Sequence, residues 1–357
     1  MQNSRLESAK NLLKDKALTH LLITDLIDVE YLSGFRSSNA LILISLKKNL
    51  LFSDFRYKEA AQLFCSKNPQ WEFQIVKENL FNSICSFLPK GSVCGFQAND
   101  LTVEKYDELS ASGKNVKFVK LSSEISELFL QKTSSEIASI RKAARIGDAA
   151  FENLLQRISE GTTEAALARE LECLCSELGS EKPSFDTIVL FGSRAALPHG
   201  RPGNRRLKKG DFILIDFGCT VNGFCSDMTR TLVFGKASPR QRQIYDIVLN
   251  AQKEACNAAK AGISSKELDN VARSSISTAG FGEAFGHALG HGVGLRIHEK
   301  PRISFHSDSL LKQNMVITIE PGIYITNFGG VRIEDMVVIK EKKAGLLTSA
   351  PKELIEL

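Results

Sequence analysis

Five side chains in the C-terminal half of the chain are of the types that bind divalent metal ions: Asp216, Asp227, His291, Glu320 and Glu334. Asp216 stands near the end of the apolar run Phe212–Gly218. Asp227 lies in the polar stretch Cys225–Thr231. His291 belongs to the glycine-rich run Gly286–Gly294. Glu320 precedes Pro321 and Gly322, and Glu334 follows Gly329–Ile333. Four carboxylates and one imidazole suit a pair of hard or borderline divalent ions better than one tetrahedral zinc. A two-metal centre activates water and polarises a carbonyl, the two requirements of amide hydrolysis.

The elements around these residues give reasons for them to meet. Asn222-Gly223 is a strong short hairpin signal. With those two residues as the turn, Val221 pairs with Phe224, Gly218 faces Asp227, and Asp216 is diagonal to Asp227 on one sheet face. Diagonal neighbours lie roughly 7–8 Å apart at Cα, close enough for two carboxylates to converge. Ile213, Leu214, Ile215 and Phe217 imply a strand buried on both faces. A carboxylate buried there needs a partner or a metal. Alternation puts Glu320 on the face of Thr318, and within a strand spanning 331–338 it puts Arg332 and Glu334 together. Four of the six histidines, at positions 199, 287, 291 and 298, fall in glycine-rich or strand-end segments. A neutral imidazole is the expected nitrogen donor for manganese, cobalt or zinc. His287, four residues before His291, is a pocket residue or a partner to a ligand.

The rest of the chain reads as two domains, 1–122 and 123–357. In the first, helices at 4–17, 56–64 and 102–112 alternate with strands at 21–24, 41–45, 49–53, 73–76, 92–95 and 116–119, an α/β layer pattern. The second opens on a long helical pattern over 128–158, with Ser134 or Ser135 as its cap and an interruption at Gly147. Further helices are expected at 163–178 (capped by Thr162), 238–261 and 264–279. With the ligand-bearing strands they make an α+β domain, helices on an antiparallel sheet.

A net charge of +5 over 357 residues gives nucleic-acid binding little electrostatic support, and the cationic cluster Arg201–Lys209 reads as a solvated loop. The N-terminus carries no apolar signal-peptide core, and no apolar stretch reaches the roughly 18 residues of a membrane helix. Eight scattered cysteines without a metal-knuckle spacing read as packed thiols in a reducing cytoplasm, Cys219 and Cys225 included.

Five segments carry a resemblance: Ser184–Gly200, the Asp216/Asp227 hairpin, Gly290–Glu299, Ile319–Tyr324 and Val331–Asp335. Together they resemble the proline-specific branch of the pita-bread metallopeptidases, which contains Xaa-Pro aminopeptidase and Xaa-Pro dipeptidase (prolidase). Tyr31–Phe35 and Ser53–Tyr57 look like the creatinase-type N-terminal domain those enzymes carry. The resemblance covers nearly the whole chain. It implies two divalent ions, manganese first, with cobalt or zinc as alternatives. Asp216 would hold one, His291 and Glu320 the other, and Asp227 and Glu334 would bridge both. A hydroxide bridging the ions would attack the carbonyl before proline, with Glu320 as general base. The same pattern has His298 stabilising the oxyanion or holding substrate, and His199 contacting substrate near the proline. Arg332 would orient Glu334 or bind a carboxylate. Tyr324 would supply a hydroxyl near the metals.

The first reading is therefore an Xaa-Pro aminopeptidase acting on peptides with proline second, as a cytoplasmic homodimer with no membrane or nucleic-acid partner. The dimer follows from the resemblance alone. The alternative is a prolidase, restricted to dipeptides. Methionine aminopeptidase shares the catalytic fold but not the long N-terminal domain, and creatinase lacks the ligands. A remote alternative is a non-catalytic peptide- or protein-binding module on the same fold.

Overall fold

Residues 2–76 and 80–357 are described by this computed structural model. Their contacts separate one unit ending at Phe129 from a second, Leu130–Leu357. The first unit holds a six-stranded mixed sheet in the order β4-β3-β2-β1-β5-β6. Its strands are β1 (His20–Ile23), β2 (Leu41–Ser45), β3 (Asn49–Ser53), β4 (Trp71–Ile75), β5 (Val93–Gln97) and β6 (Lys117–Leu121). The hairpin of β2 and β3 sets Leu43 opposite Leu50, and its unbroken apolar runs are buried on both faces.

Among the described residues six α-helices accompany the sheet: α1 (Gln2–Asp15), α2 (Leu26–Ser33), α3 (Lys58–Lys67), α4 (Leu80–Cys85), α5 (Val103–Ser112) and α6 (Glu124–Glu127). Helix α2 escaped the sequence reading because its apolar residues show little helical period. Its ends are nonetheless signalled: Asp25 accepts from the Ile27 and Asp28 amides, and Gly34 closes it at φ 83°.

The second unit begins with α7 (Ser134–Leu155) and α8 (Glu164–Glu177). Both caps differ from expectation. Thr133 caps α7 in a capping box with Glu136, and Thr163 caps α8. Helix α7 also runs unbroken through Gly147, where a Cβ would lie 3.6 Å from the Phe217 ring. That is ordinary van der Waals contact, so the helix has room for a side chain there and the glycine does not interrupt it.

Strands β7 (Ile188–Phe191), β8 (Phe212–Phe217) and β11 (Met228–Val233) form an antiparallel sheet with β8 central. Between β8 and β11 sits the short hairpin of β9 (Thr220–Val221) and β10 (Phe224–Cys225). Asn222 and Gly223 turn it with φ 51° and 77°, the left-handed conformations a two-residue turn needs. Val221 faces Phe224, Phe217 faces Met228 and Asp216 faces Thr229, so one register runs the length of the hairpin.

Helices α9 (Pro239–Ala258) and α10 (Ser265–Thr278) follow, each opened by a serine capping box. The remaining strands are β12 (Gly290–Gly292), β13 (Glu299–Ile303), β14 (Val316–Ile319), β15 (Gly322–Ile325), β16 (Gly329–Arg332), β17 (Asp335–Val338) and β18 (Gly345–Leu346). Five of them form a sheet ordered β13-β12-β14-β17-β18, while β15 and β16 pair separately. The single strand expected over 331–338 is thus divided. Ile333 and Glu334 cross from one sheet to the other, and the Glu334 amide donates to the Thr229 carbonyl at 3.1 Å.

Strand β8 explains where the core sits. Phe212 and Leu214 join one apolar cluster with Tyr245, Val248 and Leu268 of α9 and α10. Ile213, Ile215 and Phe217 join the other with Phe151, Leu154 and Leu171 of α7 and α8. Alternation then assigns Asp216 to the face of Phe212 and Leu214. Among the described residues no helix is long and apolar enough to cross a membrane.

Candidate metal centre

The register of β8 and β11 sets Thr229 directly opposite Asp216, and Asp227 lies two residues before Thr229. The crossing at Ile333–Glu334 brings Glu334 to the same place, where its Oε2 accepts from the Thr229 hydroxyl at 2.8 Å. From the five-stranded sheet come His291 on β12 and Glu320 at the end of β14. The Thr318 hydroxyl donates to Glu320 at 3.1 Å, which fits the expected shared face. The same hydroxyl accepts from the His291 amide at 3.0 Å. This approach needs a glycine before His291. A Cβ on Gly290 would lie 2.1 Å from the Thr318 carbonyl oxygen.

Asp227, His291 and Glu334 each offer one ligand atom, and these atoms lie within 4.8 Å of one another. Glu320 and Asp216 flank this trio. The His291 Nε2 is 3.3 Å from Glu320 and 3.7 Å from Asp227. Asp216 is bound by Arg332, whose Nη2 donates to its Oδ2 at 2.5 Å. The Nδ1 of His291 is 3.1 Å from the Gly292 carbonyl. A carbonyl only accepts, so Nδ1 carries the proton and the Nε2 lone pair is left for a metal.

Arg332 organises the rest. Besides Asp216 it donates from Nε to the Thr229 hydroxyl at 3.0 Å and from Nη1 to the Tyr324 hydroxyl at 2.8 Å. The Tyr324 oxygen is in turn 3.0 Å from His287 Nε2, whose ring is fixed by Nδ1 donating to the Ala288 carbonyl. Tyr324 therefore reaches the site through Arg332 and His287. Behind these residues Arg230, fully buried, donates to the Glu334 carbonyl, to Asp335 and to the Ala350 carbonyl.

The electrostatics record too much negative charge. Burial, with Glu334 and Asp216 adding repulsion, raises the Asp227 carboxyl well above its ordinary value. Burial and then Glu320 do the same to Glu334. Asp216 is also raised, chiefly by burial, with Arg332 opposing. Burial works against ionised Glu320 too, but in the metal-free site the hydrogen bond and charge of a protonated His291 outweigh it and hold Glu320 down at about 2, and a metal on His291 Nε2 would replace that proton. Two oxygens in this group, Asp216 Oδ1 and Glu334 Oε1, are buried with no hydrogen-bond partner. Buried, mutually repelling carboxylates with orphan oxygens beside an imidazole lone pair fit divalent cations.

All five residues line one cavity of about 750 Å³, together with His199, His287, His298 and Arg332. The His298 ring stands edge-on to His291 with centroids 4.4 Å apart. Burial and the neighbouring His291 lower its pKa, which favours the neutral ring.

Several contributors were missed in the sequence. Thr229 was signalled by its place two residues after Asp227, on the strand that begins at Met228. Arg201, Lys300 and Arg302 also line the cavity, and among the described residues none forms an ion pair. Cys219 and Cys225 are buried, and neither belongs to the trio that could hold a metal.

The model of metallopeptidase family M24 matches residues 138–341, and that of the Creatinase/Prolidase N-terminal domain matches residues 5–128. The Xaa-Pro dipeptidase of Pyrococcus furiosus is 41% identical over 356 residues, covering 98% of this chain and 99% of that protein. The solved Xaa-Pro dipeptidase from Bacillus anthracis superposes with a TM-score of 0.95 at 36% identity over the whole of both chains. The X-Pro aminopeptidase from Thermotoga maritima gives 0.89 at 34% identity over 99% of each. Five ligand-type residues converging in one cavity, on a chain matched along almost its whole length, identify this protein as a member of metallopeptidase family M24 with a creatinase/prolidase N-terminal domain.

Proposed function

We propose that this metallopeptidase hydrolyses the peptide bond before proline, with Xaa-Pro dipeptides as its preferred substrates. The convergence of Asp227, His291 and Glu334 within 4.8 Å carries the reading. Asp216, Asp227, His291, Glu320 and Glu334 would hold two divalent ions, manganese first. Bound there, the ions would supply an activated water and polarise the scissile carbonyl.

The chain's own groups do the rest. Glu320, whose Oε1 lies 3.3 Å from His291 Nε2, accepts the proton of the attacking water. His298 donates to the oxygen on which charge develops, and His199 contacts the substrate near its proline. Arg332 keeps Asp216 oriented and, through Thr229, Glu334.

Sequence alone put the aminopeptidase first. Two observations favour dipeptides instead: the name of the Pyrococcus furiosus relative, and the unpaired cations Arg201, Lys300 and Arg302 on the cavity wall. A dipeptide brings its C-terminal carboxylate within reach of such cations. The Thermotoga maritima neighbour supports aminopeptidase activity as the second reading. The family resemblance supports a homodimer, and the scattered free thiols support a reducing cytoplasm.

The test compares Ala-Pro, Ala-Pro-Ala and Ala-Ala-Ala on manganese-loaded protein. Ala-Pro should exceed Ala-Pro-Ala by about tenfold in kcat/KM, the equivalent of the roughly 1.5 kcal/mol that a hydrogen bond between a charged group and the substrate carboxylate contributes. Equal rates on those two would return the assignment to an aminopeptidase. Equal cleavage of Ala-Ala-Ala would remove proline specificity altogether.

A further inference from the structure

The loop between β12 and β13 leaves the metal centre at His291 and returns to the cavity with His298. Its base is closed by Glu299, whose backbone pairs with Gly292 after an irregularity at His291/Gly292. The Glu299 side chain turns inward. Its Oε1 accepts from the Arg296 amide at 3.1 Å. Its carboxylate also lies so close over Gly294 that a Cβ there would come within 2.5 Å of an oxygen. The other oxygen, Oε2, accepts from the Lys132 ammonium at 2.6 Å.

This ion pair is almost closed to solvent, with side-chain exposures of 3% for Lys132 and 9% for Glu299. The lysine backbone is anchored as well, its amide donating to the Asn314 carbonyl at 2.9 Å. Lys132 stands two residues before α7, between the two segments that the family models match. His298 is the next residue before Glu299.

We propose that Lys132 is a positioning residue for the peptidase reaction. Through Glu299 it fixes the turn that presents His298 to the substrate. This rests on the reading of His298 as a group that touches substrate. A buried pair that loses one partner leaves an uncompensated charge, which moves toward water. Glu299 cannot move without releasing the Arg296 amide and the loop end that carries His298. Lys132 itself touches no reacting atom.

The experiment is a double-mutant cycle on the metal-loaded protein, with Ala-Pro as substrate. Lys132→Met should lower kcat by about 10- to 100-fold, the cost of misplacing a reacting group by about an ångström. Metal content should stay as in the parent protein, KM should change little, and Lys132→Arg should restore most of the rate. The decisive comparison is with His298→Ala. If Lys132 acts through His298, Lys132→Met adds little further loss in that background. Where Lys132→Met does not fold, Glu299→Gln keeps the side-chain shape and enters the same cycle, with the same non-additivity expected. Full multiplication of the single losses, or an unchanged kcat in a folded Lys132→Met protein, overturns the proposal. Failure of the parent protein to cleave any Xaa-Pro substrate would instead strike the proposed function.

Discussion

Replacing Thr229 by valine removes one hydroxyl and almost no volume. Thr229 is fully buried, so the added methyl takes the place of Oγ1 in a packed site. That oxygen serves two groups at once. It donates to Glu334 Oε2 at 2.8 Å and accepts from Arg332 Nε at 3.0 Å. A hydrogen bond to a charged group contributes about 1.5–3 kcal/mol, and leaving a buried donor unmet costs about as much again. Glu334 has one oxygen already without a partner, so the substitution leaves its carboxylate unheld by any side chain. Loss of such an outer partner weakens metal affinity by about 10- to 100-fold. We therefore expect Thr229→Val to bind manganese that much more weakly in calorimetric titrations, with Thr229→Ser near the parent protein. At saturating metal the valine protein should regain most of its activity. Unchanged affinity for both ions in a folded Thr229→Val protein would refute the claim that this hydroxyl fixes Glu334.

Three further outcomes follow from the same geometry. Asp227→Ala or Glu334→Ala should remove metal and activity together, read by elemental analysis and Ala-Pro turnover; retention of both ions and full rate would sink the ligand assignment. His298→Ala should keep its metal but lose about 10²- to 10³-fold in kcat, the cost of one oxyanion donor; loss of metal would make it a ligand instead. The third concerns pH. Asp227 and Glu334 have raised pKa values in the folded, metal-free protein, so between the ordinary carboxylate value near 4 and those raised values the folded state binds more protons than the unfolded one. Their contribution to stability is complete below that window and is lost as pH rises through it. Glu320 acts oppositely, but its contribution is already complete above its unfolded value and fades only as pH falls toward about 2. Chelator-treated protein should therefore lose melting temperature, relative to manganese-loaded protein, as pH rises above the ordinary carboxylate range. A gap between the two that stays constant over that rise would contradict the repulsion described for the site.

How much of this was legible depended on the range of the interaction that decides each feature. The Asn222-Gly223 turn is a local signal, and with β8 it fixes the register that sets Asp216 beside Thr229. The alternation that puts Glu320 with Thr318 is equally local. Caps were displaced by one residue at α7 and α8 because Thr133 and Thr163 stand beside other hydroxyl residues with the same capability. The division of the 331–338 segment was not legible. Its alternation continues through Ile333 and Glu334, and what turns the chain is a bond to the Thr229 carbonyl more than 100 residues away in sequence. Lys132 and Arg230 were hidden for a similar reason. A lysine or arginine in a sequence reads as surface until the structure supplies its buried partner.

The turn at Ile333–Glu334 also separates two tasks that one continuous strand would have combined. Arg332 remains paired in β16 and holds Asp216, Thr229 and Tyr324 with a single guanidinium. Glu334, released from both sheets, presents one oxygen to Thr229 and keeps the other bare. Asp216 follows the same division, with Oδ2 on Arg332 and Oδ1 unpartnered. In each carboxylate one oxygen is spent on orientation and one is left for a cation. Arg332 is thus a counter-charge that cannot replace the ions, because its donors reach only the orienting oxygens. Folding around it leaves the unpartnered oxygens desolvated, mutually repelling and fixed in place, which is the state that the proposed divalent cations would relieve.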